Sequence, residues 1–250
     1  MTFDEMKSVV NDTIFNISIN AQERFDKEFK DEINNSIYLI SKSFWILEKI
    51  INYTDQMKVS DRDFHSQSIL WQGGNSLIGA LQLIRQGYSL ETQFLMRYAI
   101  ENLAMVLSFH TEEGSVFYEK FVSGNLSGEK CVGEAKKLVK QIGGIYGLLS
   151  EVTHPSKKTL GYIYMGGEKS VTIGGGITDK TIRWVKMNLA ILQFLSTIYW
   201  SSTELIFSDY LKEYTFWEKN GDEFKWAPNK EQKEIYERSV HLFEAAISGI

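Results

Sequence analysis

Two stretches of the sequence place ionisable side chains among apolar ones. In the segment 145–156, IYGLLSEVTHPS, His154 stands directly before Pro155, at the end of a predicted helix. A second predicted helix carries Arg97 and Glu101, which are four residues apart and therefore share a face. A histidine titrates near neutral pH and an arginine binds phosphate oxygens, so together they suit acid–base chemistry at a phosphate. We therefore take His154 and Arg97 as the candidate catalytic residues.

The pair Arg97 and Glu101 is open to three interpretations. It is an exposed ion pair between helical neighbours, a buried pair with a structural role, or part of the lining of a pocket. Apolar neighbours favour the last two, because they leave little solvated surface on this helix; these are Met96, Ala99, Ile100, Leu103 and Ala104.

The residues before His154 supply further candidates. Ser150 lies four positions earlier on the same helical face, and Glu151 lies three earlier, which gives the spacing Glu-x-x-His. Di-iron helical bundles use two such motifs with two further glutamates, and this chain has no second one, so we predict no metal site. The alternative is a histidine that ends a helix and packs on the segment that follows. The candidate binding residues are Glu101, Tyr146, Ser150 and Glu151.

Other catalytic motifs are missing from the sequence. Cys131 is the single cysteine, so the chain forms no internal disulfide, and we expect an ordinary thiol. Neither a Gly-x-x-x-x-Gly-Lys-Ser/Thr phosphate loop nor a Gly-x-Ser-x-Gly turn is present. We predict that His65, His110 and His241 are solvated, and we predict no cofactor.

Composition excludes two classes of partner. The net charge of −5 and the six arginines among 27 basic residues do not predict a basic face for duplex DNA. The most apolar stretch, 187–207, contains eight polar residues and predicts a buried helix, not a membrane span. The polar N-terminus is unlike a signal peptide, so we expect a cytoplasmic protein.

Hydrophobic periodicity and helix caps predict an all-α bundle. The predicted helices span 2–29, 31–53, 60–86, 89–110, 113–122, 129–152, 178–212 and a last segment from 229. We expect one domain over 1–250, with a helical hairpin (1–58) appended to a core (60–212) and followed by a loop and helix (213–250). Two β-rich runs around Gly166-Gly167 predict a small β-hairpin near 160–175. Residues 214–228 are predicted to be irregular, and their Trp217 and Trp226 either meet a partner or pack locally.

Three of these features together resemble a known family. They are the glycine-rich third helix, the motif Leu95-Met-Arg97-x-x-x-Glu101, and the motif Tyr146-Gly-Leu-Leu-Ser150-Glu-Val-Thr-His154-Pro155. Over residues 60–210 the chain resembles a group of bacterial all-helical proteins distantly similar to HEPN domains. The resemblance implies a helical bundle, a homodimer, and a setting in toxin–antitoxin or phage-defence systems, where many HEPN domains are ribonucleases.

The resemblance fails at the catalytic signature. HEPN nucleases place an arginine four to six residues before their histidine, whereas residues 146–153 contain no arginine. We therefore expect a non-catalytic or accessory binding module, whose partner is a protein or RNA. The alternative is a metal-independent endoribonuclease in which His154 acts as general acid or base, Arg97 stabilises the phosphate, and Ser150 and Glu101 orient them.

Overall fold

The chain folds into an all-α bundle with one small β-hairpin. The computed structural model describes residues 2–54, 59–153, 182–211, 213–221 and 223–248. The helices are α1 (Phe3–Asp12), α2 (Ser18–Glu28), α3 (Lys30–Thr54), α4 (Asp61–Arg85), α5 (Ser89–Phe109), α6 (Gly114–Val122), α7 (Gly128–Ala135), α8 (Gln141–Thr153), α9 (Ile182–Ile206) and α10 (Lys230–Ser248). A π-helical turn, Thr13–Ile17, joins α1 to α2, and a 3₁₀ turn, Ser208–Tyr210, follows α9.

The predicted fold class is confirmed, and so are several helix ends. The Thr2 hydroxyl accepts from the Glu5 amide, and the Glu5 carboxylate accepts from the Thr2 amide, so the capping box forms. Ser60 caps α4 through the Asp63 amide. Gly87 follows α4 with φ +79°, a left-handed conformation that glycine adopts at low cost. The hairpin predicted near 160–175 lies outside the described residues.

Helix α4 lies at the centre of the packing because its glycines admit three neighbours. A methyl group on Gly73 would overlap the Tyr199 hydroxyl of α9, and one on Gly74 would come within 2.8 Å of the Phe44 ring of α3. On the side facing α5, a methyl group on Gly79 would come within 3.1 Å of the Leu95 side chain. The sequence predicts close helix contacts from these glycines, and the structure assigns each contact to a different helix.

Helices α5 and α9 contribute the largest shares of the buried core. Most of α9 is buried, as predicted, and its Ser196, Thr197 and Thr203 hydroxyls donate to carbonyls one turn earlier. Such bonds satisfy polar groups that would otherwise be costly to bury. Across the described residues, none of the helices is both long enough and apolar enough for a bilayer crossing.

Two predictions about secondary structure are wrong. The single helix predicted over 129–152 is two helices, α7 and α8, separated by turns at 136–140. There the Leu138 and Val139 amides both donate to the Ala135 carbonyl, which ends the α-helical pattern. The segment 214–228, predicted to be irregular, contains the antiparallel strands β1 (Trp217–Asn220) and β2 (Glu223–Trp226).

The hairpin is attached to α9 through Glu204. This buried carboxylate accepts the backbone amides of Thr215 and Phe216, both at 3.0 Å, and the Trp200 indole N–H at 3.0 Å. The Trp217 indole donates to the Ser201 carbonyl at 2.8 Å, and its ring packs edge-on against Trp226. Trp217 and Trp226 thus pack against each other, while Trp226 stays 41% exposed, so the partner role remains a prediction.

The contact between Gly73 and Tyr199 yields a stability prediction. Gly73→Ala should lower the free energy of unfolding by about 1–3 kcal/mol, because the added methyl overlaps a buried phenol. The loss should be smaller in a Tyr199→Phe background, which removes the overlapping oxygen. Gly133→Ala is the matched control: position 133 is exposed in α7 with open space around it, so alanine should stabilise by about 0.5–1 kcal/mol. Urea unfolding followed by circular dichroism measures the unchanged chain, the two single variants at 73 and 199, their double variant and the control, and equal effects at 73 and 133 would contradict the prediction.

Candidate functional site

Arg97 lies at the centre of a polar cluster between α5 and α8. Its Nε donates to Glu101 Oε1, one Nη donates to the Thr153 hydroxyl, and the other Nη donates to the Tyr146 hydroxyl, each at 3.0 Å. The Tyr146 hydroxyl in turn donates to Glu101 Oε1 at 3.2 Å. These four residues are called the Arg97 cluster below. They connect the predicted pair Arg97 and Glu101 on α5 to α8, about fifty residues later in the chain.

The electrostatics of the Arg97 cluster keep the arginine charged. Partial burial alone would lower the pKa of Arg97, but the hydrogen bonds and charges of Glu101 and Tyr146 raise it above its usual value. The Arg97 and Glu101 side chains are 18% and 24% exposed. The guanidinium carbon also lies 5.2 Å from the centre of the Tyr146 ring, a cation–π contact. Of the three interpretations of the pair, the fully exposed one is wrong.

Two local features hold the cluster in place. Helix α8 buries Ile142, Ile145 and Leu149 in the core, and this orientation turns Tyr146 towards α5. On the other side, Gly128 at the start of α7 packs directly on Glu101: a methyl there would come within 2.6 Å of Glu101 Cβ. No local pattern in the sequence connects Gly128 with Glu101.

The other predicted site residues contribute less to what the structure shows of this site. His154, the first candidate catalytic residue, lies outside the described residues. Ser150 has a buried hydroxyl without a hydrogen-bond partner. Glu151 is exposed on α8. Thr153 was not among the candidate residues, and its hydroxyl accepts a hydrogen bond from an Arg97 Nη.

A second polar cluster, missed by sequence reasoning, lies where α4 begins and α5 ends. His65 Nδ1 lies 2.8 Å from the Tyr118 hydroxyl, and His110 Nε2 lies 3.4 Å from the Ser66 hydroxyl. Burial, helped by the Arg62 charge and opposed by Asp63, lowers the pKa of His110 to about 4. The prediction that His110 is solvated is therefore wrong, since it is largely buried and neutral at pH 7.

Tyr210, in the turn after α9, contacts the same end of α4 and is partly buried. The Tyr210 hydroxyl donates to Asp63 Oδ2 at 2.9 Å, and burial together with that carboxylate raises the pKa of Tyr210 to about 12. Within the described residues, no group of three or more His, Cys, Asp or Glu side chains is placed to hold a metal ion.

A concave groove, the α3/α4 groove, lies between α3 and α4. It encloses about 730 Å³, and Ile37, Trp45, Trp71 and Ile78 on its walls are between 36% and 50% exposed. The Phe44 and Trp71 rings meet edge-on at 4.9 Å across its floor. At one end Arg85 forms a two-bond ion pair with Asp26 of α2. The sequence does contain a signal for an exposed apolar stripe on α4, because Phe64, Trp71 and Ile78 repeat every seven residues.

The Arg97 cluster gives a prediction about stability. Arg97→Met should cost about 1–3 kcal/mol of unfolding free energy, because it leaves the Glu101 carboxylate partly buried without its cation. The double variant Arg97→Met/Glu101→Leu should recover much of that loss. Arg24→Met is the matched control, since it breaks the more exposed pair with Glu28 and should cost less than about 1 kcal/mol. Urea unfolding tests this, and a double variant as unstable as the single one would contradict it.

The burial of His110 gives a prediction about pH. Its folded pKa of about 4 lies below the usual 6.5, so the unfolded chain takes up a proton first as pH falls. His110 should therefore contribute a loss of stability between about pH 6.5 and pH 4, of up to roughly 3 kcal/mol. His110→Gln should flatten the pH dependence of unfolding, whereas the exposed control His241→Gln should not. Identical slopes for His110→Gln and the unchanged chain would refute this assignment.

Comparison with known proteins adds no relative to these observations: no protein-family model, no curated protein and no solved structure matches the chain.

Proposed function

We propose that the chain is a non-catalytic binding module that takes an amphipathic helix into the α3/α4 groove. The observation that carries the proposal is the apolar character of the groove walls, with two half-exposed tryptophans, Trp45 and Trp71. Contiguous exposed apolar surface of this kind marks interaction sites in soluble proteins. Tryptophan is also the residue type most enriched at the energetic centres of protein interfaces.

The shape of the groove favours a helix as its occupant. Helices α3 and α4 run antiparallel, because Leu47 contacts Gln67 whereas Phe44 contacts Trp71 and Gly74. Along α4 the exposed residues Phe64, Trp71 and Ile78 span two heptads, about 21 Å of helix axis. A seven-residue apolar repeat is the pattern by which helices pack against one another. A third helix lying between α3 and α4 would cover both walls.

The Arg97 cluster supports a binding role over the ribonuclease alternative. A catalytic arginine must direct N–H groups at a phosphate, but three of the five N–H groups of Arg97 bind Glu101, Thr153 and Tyr146. The Glu101 carboxylate would in addition repel a phosphate. These contacts suit a residue that ties α5 to α8.

The test is binding of a fluorescein-labelled amphipathic helical peptide, built from leucine, glutamate and lysine, to the dilute full chain. Fluorescence anisotropy should show saturable binding that weakens at least tenfold in Ile78→Glu, because a charge then lies on the groove wall. Phe94→Glu is the matched control, since Phe94 is similarly exposed, at 54%, but lies on α5 outside the groove. Circular dichroism verifies that both variants fold. Equal affinities for Ile78→Glu and Phe94→Glu would exclude the groove as the binding site.

A further inference from the structure

The N-terminal arm, residues 3–17, exposes an apolar face. Helix α1 buries none of its side chains. Phe3 is 82% exposed and Phe15 61%, and Val9, Val10 and Ile14 are each at least 40% exposed. Contacts of the N-terminal helical segment with α3 and α4 come mainly from α2, through Ala21 and Phe25 in the core. The chain therefore carries two apolar surfaces, the arm and the α3/α4 groove.

The arm is not placed to cover the groove of its own chain. Residues 3–28 are helical throughout, α1 and α2 being joined by the π-turn, and this rod is about 39 Å long. The groove begins at Asp26 and Lys30, at the far end of the rod. Val10 lies sixteen residues before Asp26, or about 24 Å along the axis. In this structure the arm side chains and the groove walls are both exposed, so within the described residues the arm does not lie in the groove of its own chain.

We propose that the helix bound by the α3/α4 groove is the arm of a second copy of this chain, so that two copies exchange arms. This inference rests on the proposed function. When two rods lie antiparallel about a two-fold axis, the start of each rod meets the end of the other, which is where the partner's groove begins. The exchange is reciprocal, so each dimer contains the arm–groove contact twice, as isologous interfaces do.

Charge supports the same pairing. The arm carries three carboxylates, Asp4, Glu5 and Asp12, against one lysine, Lys7. The groove presents Lys30 at its entrance beside the Arg85–Asp26 ion pair, and Glu48 is its second carboxylate. Lys42 and Lys49 lie over the Trp45 ring at 5.4 and 3.5 Å, so the surface carries a net positive charge. An acidic helix is attracted to such a surface but is repelled by the anionic lipids that amphipathic membrane helices bind. The arm therefore suits the groove better than a bilayer.

The surface available is in the range that a specific dimer needs. Fully covered aromatic side chains bury about 150–250 Å² each, and Phe3, Phe15, Trp45 and Trp71 are all exposed by a third or more. Each dimer contains the arm–groove contact twice, so these four residues and their aliphatic neighbours bury surface area in both copies. Standard interfaces bury about 800 Å² per partner.

Sedimentation velocity on arm and groove variants tests the exchange. The full chain and the control Phe94→Glu should be dimers at high micromolar concentration. The arm variant Ile14→Asp/Phe15→Asp and the groove variant Ile78→Glu should each be monomers, and both carry changes at exposed positions. An equimolar mixture of the two variants should form dimers again, because one intact arm then meets one intact groove. A monomeric full chain, dimeric variants, or a mixture that stays monomeric would each overturn the proposal.

The labelled peptide separates failure of this inference from failure of the proposed function. The arm variant leaves the groove open under either outcome. If arms are exchanged, the arm variant should bind the peptide at least tenfold more tightly than the full chain, whose own arm competes. If the full chain is monomeric and the arm variant still binds the peptide at the groove, the binding function stands and the exchange is wrong. If the arm variant does not bind the peptide, the proposed function is wrong.

Discussion

Close approach of three helices to α4 is the constraint on which the rest of this structure depends. Protein interiors are packed at crystal-like density, so a helix can meet several neighbours at short range only where its own side chains are missing. Gly73, Gly74 and Gly79 provide those positions, and each faces a different helix. Intrinsic helix propensity is sacrificed at all three sites, because glycine costs about 1 kcal/mol relative to alanine in a helix. Tertiary packing must more than offset that cost.

This packing also determines which polar and apolar side chains remain near the surface. The Gly73 side of α4 faces Tyr199 in the core, whereas Trp71 and Ile78 lie on another part of the helix surface and form one wall of the α3/α4 groove. Helix α5, pressed on α4 by the same contacts, turns Arg97 towards α8. The polar groups of the Arg97 cluster satisfy one another, whereas the groove walls are largely apolar and stay partly exposed in the part of the chain that the structure describes. The Arg97 cluster stabilises the fold, and the exposed α3/α4 groove is suited to binding a partner.

The sequence was informative where a pattern is local. Stripes of apolar residues and caps such as Thr2 and Ser60 predicted most helices, and the spacing of Arg97 and Glu101 predicted their pairing. The break between α7 and α8 was missed because 136–140 contains neither glycine nor proline. The β1–β2 hairpin was missed although Asn220-Gly221 is a strong turn signal, with Gly221 at φ +66°.

Long-range features were beyond local patterns. The burial of His110 depends on neighbours from α4, and the contact of Arg97 with Thr153 depends on how α8 docks on α5. The α3/α4 groove required knowing which side of α4 is covered. For His110 and Arg97 the deciding partner lies more than forty residues away in the chain, and no periodicity encodes it.

The π-turn at Thr13–Ile17 has a consequence for how this architecture can change. Such a turn holds one residue more than the α-helical turn it replaces, and Ser18 marks it by donating to the Thr13 carbonyl five residues back. Loss of a single codon within 13–17 would restore a regular α-helix and rotate everything before it by about 100° relative to α2. Phe3 and Val10 would then point in a new direction, with no change in their identity. Evolution can thus redirect the arm in one step by a deletion, whereas substitutions would have to rebuild its apolar face residue by residue.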